Sequence, residues 1–215
     1  HYIILSGDQL YKMDLQDFMR QHLESGAKIS IATTAVDRES AGRYGIMKID
    51  EKNRITEFRE KPGPVADISD WKMPANVQAT VPSKEKTYLA SMGIYIFDAP
   101  VIEGLLQESD STDFGKEIIP DAIGKCHTHA YIFDGYWEDI GTIKSFYDAN
   151  IQLTDINPQF NFYEEDEPIY THMRNLPPSK INSAQMTATL TSEGCVITDC
   201  KIHRSIIGLR SIIEN

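Results

Sequence analysis

Residues 2–8 read Tyr2-Ile3-Ile4-Leu5-Ser6-Gly7-Asp8, a short unbroken apolar run that ends in a small polar turn. Such a run is typical of a strand that is buried on both faces in a parallel sheet. Asp14 can then cap a helix with apolar residues at helical spacing, and Gly26 can end that helix. A strand, a polar turn and a helix in this order predict a βα unit.

The following segments alternate between strand and helix patterns. The predicted strands are residues 28–36, a hairpin of residues 46–50 and 54–59, residues 88–97 and residues 129–133. Helices are predicted after Asp98, Asp113 and Thr142, because each can act as an N-cap. Residues 63–86 contain prolines and no clear period, which predicts a surface excursion or a flexible loop. The alternation predicts an α/β domain on a mostly parallel sheet with an antiparallel insertion.

The pattern changes after residue 156. Residues 158–178 are rich in aromatic residues and proline and lack a helical period, so they predict a linker. A six-residue rhythm follows, with one row at Leu190, Val196, Ile202 and Gly208 and another at Cys200, Ile206 and Ile212. This rhythm predicts a β-helix whose faces are short strands. Three or four coils are too few to stand alone, because stacked repeats need neighbours to bury their faces.

Composition excludes several classes of protein. The hydrophobic content of 41% and the charged content of 25% are ordinary for a globular protein. No run approaches the roughly 18 apolar residues of a membrane span, so we expect a soluble protein without a membrane partner. The formal net charge of −11 and the scattered acidic residues argue against a nucleic-acid partner. Cys126, Cys195 and Cys200 match no metal quartet, and we expect packing residues in a reducing compartment.

Two acidic positions follow predicted strands. Asp8 lies just past the first apolar run, at the sheet edge where open α/β sheets bind ligands, and could hold Mg²⁺. Glu138 and Asp139 repeat the arrangement, so Asp139 could reach the same ion if both strands end at one edge. The alternatives are that Asp8 turns the chain and that Glu138 and Asp139 favour the first turn of the next helix.

A third group of candidates could bind a sugar phosphate. Lys61 offers a cation for a phosphate and Glu60 an acceptor for hydroxyl groups, although most Glu-Lys neighbours are solvated surface. Ser91, within the small-residue interruption Ser91-Met92-Gly93, marks either the close approach of a ligand or a bulge. Gly45 allows the same ligand interpretation or a simple turn. The sequence contains no Gly-x-Ser-x-Gly elbow, His-Glu-x-x-His or phosphate-loop motif.

An ordered set of motifs resembles the glucose-1-phosphate adenylyltransferases, also called ADP-glucose pyrophosphorylases. These are Leu5-Ser6-Gly7-Asp8-Gln9-Leu10-Tyr11-Lys12-Met13-Asp14, Tyr44-Gly45, Glu60-Lys61-Pro62, Ala90-Ser91-Met92-Gly93-Ile94-Tyr95, Asp113-Phe114-Gly115-Lys116-Glu117-Ile118-Ile119-Pro120, Tyr136-Trp137-Glu138-Asp139-Ile140-Gly141-Thr142 and Leu176-Pro177-Pro178. Each tripeptide alone is weak, but the set in this order and spacing is specific. The resemblance covers nearly the whole chain.

The resemblance implies the transfer of an adenylyl group from ATP to α-D-glucose 1-phosphate, which gives ADP-glucose and pyrophosphate for glycogen or starch synthesis. It implies Mg²⁺ as cofactor, with Asp8 and Asp139 as catalytic and metal-binding residues. It also implies glucose 1-phosphate contacts from Gly45, Glu60, Lys61 and Ser91. The implied assembly is an allosteric homotetramer in a cytoplasm, or a heterotetramer in a plastid. The alternatives are a non-catalytic regulatory subunit that binds sugar phosphate and a UDP-, dTDP- or GDP-sugar pyrophosphorylase.

The implied fold is a mostly parallel, Rossmann-like nucleotidyltransferase sheet followed by the start of a left-handed parallel β-helix. We expect a catalytic domain in residues 1–155, a linker in residues 156–187 and the hexapeptide-repeat β-helix in residues 188–215. The family's N-terminal glycine-rich loop and most of its β-helix are not in this sequence. We therefore expect a piece of a longer protein that alone turns over slowly or not at all.

Overall fold

Local capping signals account for the helices of the computed structural model, which describes residues 1–108, 113–165 and 168–215. The helices are α1 (Leu15–Ser25), α2 (Arg38–Ala41), α3 (Ala75–Gln78), α4 (Ala99–Glu108), α5 (Ile119–Lys125) and α6 (Ile143–Gln152), with a 3-10 turn at Ser69–Trp71 and a π-helical turn at Phe114–Ile118. The Asp14 side chain accepts hydrogen bonds from the first turn of α1, and Gly26 ends that helix at φ 65°. Thr142 and Ser145 form a capping box on α6. The predicted starts of these two helices are confirmed.

Thirteen strands are present in the described residues. They are β1 (Tyr2–Ile4), β2 (Gln9–Tyr11), β3 (Ile29–Val36), β4 (Ile46–Ile49), β5 (Ile55–Arg59), β6 (Tyr88–Phe97), β7 (Thr128–Phe133), β8 (Trp137–Asp139), β9 (Lys180–Asn182), β10 (Gln185–Thr191), β11 (Val196–Thr198), β12 (Lys201–Ile207) and β13 (Ile212–Glu214). The predicted strands at 28–36, 88–97 and 129–133 are confirmed, and β4 and β5 form the predicted hairpin.

The chain divides into two units. The first comprises His1–Gly7 and Met13–Trp137, and the second comprises Asp8–Lys12 and Glu138–Asn215. The boundaries predicted at residues 155 and 187 remain predictions. The predicted linker, residues 156–187, includes residues 166 and 167, which lie outside the described ranges, and β9 lies within it.

The first unit contains a six-stranded sheet in the order β5-β4-β6-β3-β7, with β1 also paired to β6. The ten-residue strand β6 is almost entirely buried, and it is antiparallel to β1, β3 and β4. Of the pairs in this sheet, only β3–β7 is parallel among the described strands. Because β1, β3 and β4 all oppose β6, and β7 is parallel to β3, four of the six strands run in one direction, whereas β5 and β6 run in the other. The α/β class with a mixed sheet of mainly parallel strand directions and an antiparallel part is therefore confirmed. What the sequence pattern did not predict is the position of antiparallel β6 in the middle of the sheet, between β4 and β3, because buried apolar runs do not encode strand direction.

The first apolar run also differs from its prediction. β1 forms at residues 2–4, but Tyr2 is 49% exposed, Ile3 41% and Leu5 47%. In the described residues β1 pairs with β6 alone. Neighbouring residues of a strand point to opposite faces, so the exposure of both Tyr2 and Ile3 means that the expected burial on both faces is not observed.

The excursion at residues 63–86 is packed against the sheet rather than free of it. Ile68, Trp71, Met73 and Val77 are buried, and the Arg59 guanidinium lies 4.9 Å from the centre of the Trp71 ring. This segment therefore contributes to the core of the first unit.

The second unit ends in a parallel stack of short strands. β9, β11 and β13 pair in parallel, as do β10 and β12, and each partner lies sixteen positions further along the chain. Left-handed backbone corners recur at the same interval, at Ser183 and Asp199, Ala188 and Arg204, and Gly194 and Arg210. The interior contains buried Cys195, Ile197 and Ile207. The predicted start of a parallel β-helix is confirmed.

The predicted six-residue rows hold only in part. Cys200 and Ile202 contact the interior cluster, but Ile206 is 39% exposed and Ile212 72% exposed. Because sixteen is not a multiple of six, a strict six-residue step drifts away from the interior with each coil. Corners of unequal length shorten the repeat, and no single residue type marks these corners in the sequence.

The cysteines have the packing role that was expected. Cys195 is buried in the β-helix interior, Cys126 donates to the Ala122 carbonyl at 3.4 Å, and all three thiols are free. Among the described helices, none is both long and apolar enough to cross a bilayer.

Candidate functional site

The carboxylates of Asp8 and Asp139 lie together in the second unit. β2 pairs with β8, and the Ile140 N–H donates to the Asp8 carbonyl at 3.1 Å. A Cβ built on Gly141 would lie 3.0 Å from Asp139 Oδ1 and 3.1 Å from Asp8 Oδ2. Two residues separated by 131 positions therefore place carboxylate oxygens around one point. We call Asp8 and Asp139 the carboxylate pair.

The donor set of the carboxylate pair fits Mg²⁺. Both side chains offer oxygen, the ligand type that this hard cation takes, and Gly141 contributes no side chain to fill the space between them. Like charges this close repel unless a cation or hydrogen bonds offset them. The Gly141 N–H donates to Asp139 Oδ1 at 2.9 Å, which satisfies one oxygen of the pair.

The alternative role for Asp139, starting the next helix, is filled by another residue, because Thr142 is the N-cap of α6. Thr142 caps α6 through the N–H of Ser145, and the Ser145 hydroxyl returns a bond to Thr142. Helix α6 is thus capped by its own first residues, and capping does not explain the carboxylate of Asp139.

Glu60 is enclosed by two glycines in the first unit. A Cβ on Gly45 would lie 2.6 Å from Glu60 Oε2, and one on Gly115 would lie 2.9 Å from the same oxygen. The Gly45 position would also meet the Phe58 ring at 2.5 Å. Real Cβ atoms do not approach so closely, so glycine at both positions makes room for this carboxylate. Gly45, Glu60 and Gly115, with Ser91 and Tyr95, are called the Glu60 cluster.

Ser91 and Tyr95 lie at an irregularity in β6. The register between β3 and β6 shifts between Ile31 and Thr33, and Gly93 adopts φ 70°. The Gly93 N–H donates to Ser91 Oγ at 3.2 Å, and the Ser91 N–H donates to the Gly45 carbonyl at 2.7 Å. The bulge predicted as one alternative is confirmed, and it joins Ser91 to Gly45.

Two titratable groups around the Glu60 cluster have shifted pKa values. Burial raises the pKa of Tyr95, which a hydrogen bond with Ser91 opposes and the charges of Glu60 and Asp113 reinforce. Tyr95 therefore keeps its proton and can donate. The Lys116 N–H, 2.9 Å from Asp113 Oδ1, lowers the pKa of the Asp113 carboxyl. Asp113 therefore remains an anion and can accept.

Lys61 has a strained backbone. Its φ is 41°, in the left-handed region that residues with a Cβ rarely adopt, and its N–H donates to the Tyr44 carbonyl at 3.2 Å. Its side chain is 68% exposed, with Nζ 3.8 Å from Glu60 Oε1. A loose ion pair leaves this ammonium largely in solvent, where a further anion can reach it.

The structure thus groups the six candidates in two clusters in different units. Asp8 and Asp139 meet in one, whereas Gly45, Glu60 and Ser91 belong to the other, with Lys61 beside Glu60. Sequence reasoning assigned no role to Tyr95 and Gly115. Both occur in motifs that the family resemblance used, but only a folded chain brings Gly115 to Glu60. The parallel stacking of Tyr95 on Phe114, with ring centres 6.0 Å apart, links those two motifs.

Comparisons with known proteins agree with this architecture. The nucleotidyl transferase family matches residues 1–156, and the GLGC left-handed parallel beta-helix domain matches residues 174–215. The small subunit of glucose-1-phosphate adenylyltransferase, chloroplastic/amyloplastic, from Triticum aestivum is 46% identical over 223 residues, covering 99% of this chain and 46% of that protein. The chain therefore spans about half the length of this curated relative. The second match also supplies the handedness of the β-helix, and the chain belongs to the nucleotidyl transferase family.

Proposed function

We propose that the protein carrying this chain transfers the adenylyl group of ATP to α-D-glucose 1-phosphate, giving ADP-glucose and pyrophosphate for glycogen or starch synthesis. Family membership and the name of the wheat relative support this reaction. The observation that carries the proposal is the approach of Asp8 and Asp139 to one point beside Gly141. Charge neutralisation by carboxylate-held metal is a common requirement of phosphoryl-group chemistry.

The reaction joins two anions. A phosphate oxygen of the sugar bonds to the α-phosphorus of ATP, the bond from that phosphorus to the bridging oxygen breaks, and pyrophosphate leaves with the electron pair. Nothing is oxidised or reduced, so the work of the protein is positioning and charge stabilisation. When bound, Mg²⁺ would offset the negative charge of the phosphates, and Asp8 and Asp139 are the residues that would hold it.

The Glu60 cluster and Lys61 are proposed to bind the sugar phosphate. The Lys61 ammonium, exposed and only loosely paired, would neutralise its phosphate. Glu60 would accept hydrogen bonds from sugar hydroxyls, because the two glycines hold its carboxylate in one place. Gly45 leaves room for the Glu60 carboxylate, and Ser91, whose N–H donates to the Gly45 carbonyl, offers a hydroxyl. Tyr95 adds a second donor to this set.

The assembly and location are also proposed. The Triticum aestivum relative is named as the chloroplastic/amyloplastic small subunit of its enzyme. The location in that name supports the plastid alternative, and the words "small subunit" support a heterotetramer of related chains. A cytoplasmic homotetramer is the other arrangement. The mass of the purified protein by light scattering would show whether four chains assemble, and mass spectrometry of the denatured assembly would show whether they are of one kind or two.

A nucleotide competition assay tests the reaction. We expect pyrophosphate release from glucose 1-phosphate with ATP to exceed that with UTP, dTTP or GTP by about two orders of magnitude in kcat/KM. Preference for another nucleotide would reassign the enzyme to a sister pyrophosphorylase. Binding of glucose 1-phosphate without turnover would instead support the regulatory-subunit alternative. The assay uses the full-length protein that carries this chain, and its Asp139→Asn variant serves as the blank.

A methyl group at Gly45 should displace Glu60. Because the Cβ would lie 2.6 Å from Glu60 Oε2 and 2.5 Å from the Phe58 ring, Gly45→Ala is expected to raise KM for glucose 1-phosphate about tenfold or more. The KM for ATP should stay close to its original value. Gly124→Ala is the matched control, since nothing lies within 4 Å of its Cβ position in α5. An equal change in KM for glucose 1-phosphate in both variants would show that Gly45 is not part of the sugar-phosphate site.

A further inference from the structure

Two histidines and an aspartate converge in the first unit, apart from the Glu60 cluster. The ligand atoms of His1, His22 and Asp98 all lie within 4.8 Å of one another. His1 Nδ1 is 2.9 Å from Asp98 Oδ1, and His22 Nε2 is 3.4 Å from the same oxygen. Ligands on one tetrahedral ion with bonds of about 2.0–2.1 Å stand about 3.3 Å apart. These separations are close to those of a metal site.

The fold itself brings the three residues together. β1 and β6 are antiparallel with Tyr2 opposite Phe97, so His1 and Asp98 follow on from one register pair. The Asp98 N–H donates to the Lys28 carbonyl, and its own carbonyl accepts from the first turn of α4. Asp98 is therefore held at the junction of β6 and α4. His22 reaches the same point from α1 and is 1% exposed.

A hydrogen bond orients the His22 ring. Its Nδ1 is 2.8 Å from the buried Ser30 hydroxyl, which leaves Nε2 directed towards Asp98. Metal-binding histidines are commonly oriented in this way by a hydrogen bond at the other ring nitrogen. The His1 ring meets the His22 ring edge-on, with centres 5.1 Å apart, so both rings border the same space.

Lys28 leaves one oxygen of Asp98 for the histidines. Its Nζ is 2.7 Å from Asp98 Oδ2, whereas both imidazoles approach Oδ1. The ion pair with Lys28 accounts for the first oxygen but not for the meeting of two rings at the second. A cation between them would also face the nearby ammonium, so the site should be weaker than one without Lys28.

We propose that His1, His22 and Asp98 bind a divalent transition-metal ion of the Zn²⁺ type. Two imidazole nitrogens and one carboxylate oxygen are a common three-ligand set for zinc, with a water in the fourth position. Imidazole favours zinc over Mg²⁺, which prefers oxygen ligands. The ion would tie the start of β1 to α1 and to the β6–α4 junction. This proposal does not depend on the proposed reaction.

Metal titration of the whole chain tests the site. For this experiment the protein is produced with extra residues ahead of His1, so that no terminal amine can act as a ligand. Bound metal is first removed with a chelator. The protein is then titrated with Co²⁺ and with Zn²⁺ in excess Mg²⁺. We expect one Co²⁺ per chain with visible absorption of a four-coordinate ion, displacement by Zn²⁺, and a higher thermal midpoint that chelator reverses.

The variants separate this site from others. His1→Gln changes a partly exposed ring and should weaken Co²⁺ binding at least about tenfold while the chain stays folded, and Ser30→Ala should weaken it by a similar factor. His172→Gln, on an exposed histidine, is the matched control and should bind normally. Lys28→Gln should tighten binding. No Co²⁺ absorption, or absorption unchanged by His1→Gln, overturns the proposal, and loss only in Asp139→Asn assigns the ion to the carboxylate pair.

Discussion

Asp139→Asn is expected to lower kcat for ADP-glucose formation by on the order of 10³-fold, with little loss of stability. The amide keeps the shape of the side chain, and its carbonyl oxygen can still accept the 2.9 Å hydrogen bond from the Gly141 N–H. What is lost is the negative charge beside Asp8. The variant therefore isolates the electrostatic role of the carboxylate from its structural one. Steady-state pyrophosphate release and thermal unfolding measure the two effects separately.

Asp121→Asn provides the control for this substitution. Asp121 is 52% exposed and pairs with Lys125 one turn along α5, an ion pair of the kind that contributes about 0.3–0.5 kcal/mol. Its loss should leave kcat unchanged. If Asp139→Asn retained full turnover at saturating Mg²⁺, the carboxylate pair would have no part in the reaction. A fall in thermal midpoint matching the fall in activity would likewise point to a structural aspartate.

Signals within one helical turn were predictable from the sequence. Asp14 and Thr142 were expected as caps because a short polar side chain before an apolar helical pattern satisfies free N–H groups without help from the rest of the fold. Both do so in the structure. The hairpin of β4 and β5 was predictable for the same reason, since its turn lies between its own strands.

Properties that depend on distant partners were not predictable in this way. The burial of residues 2–5 depends on what packs on the two faces of β1, and the direction of β6 depends on which strands flank it. The sixteen-residue repeat of the β-helix depends on corner residues such as Ala188 and Arg204, whose left-handed conformation no side-chain type here requires. A periodic pattern fixes the spacing inside a strand but does not count the residues in a corner.

In the candidate site too, local signals were predictable and contacts between distant segments were not. Polar residues at strand ends indicated Asp8 and Asp139 individually, and their approach was a stated expectation that the position of Gly141 now supports. The roles of Glu60 and Lys61 came from family resemblance, and the structure adds a reason for their neighbours. Gly45 and Gly115 leave the space that the Glu60 carboxylate occupies, a relation between three separate segments that no local pattern encodes.

Lys61→Ala should raise KM for glucose 1-phosphate about 10- to 100-fold, the equivalent of one hydrogen bond to a charged group. The ammonium is 68% exposed, and its distance of 3.8 Å from Glu60 Oε1 is long for an ion pair. The Glu60 carboxylate therefore holds it only loosely. Alanine and lysine both carry a Cβ, so the strain at φ 41° is the same in each variant. The comparison therefore removes the charge without relieving the backbone.

The division of the effect between substrates decides the role of Lys61. A residue that binds the sugar phosphate changes KM for glucose 1-phosphate and leaves KM for ATP within about twofold, because the lost contact is made by one substrate. Lys61→Arg should recover part of the affinity, since it restores the charge with a different shape. Lys52→Ala, on an exposed lysine in the turn between β4 and β5, is the control and should change neither constant. Equal increases in both constants for Lys61→Ala would instead show that Lys61 supports the strained turn, and the sugar phosphate would need another cation.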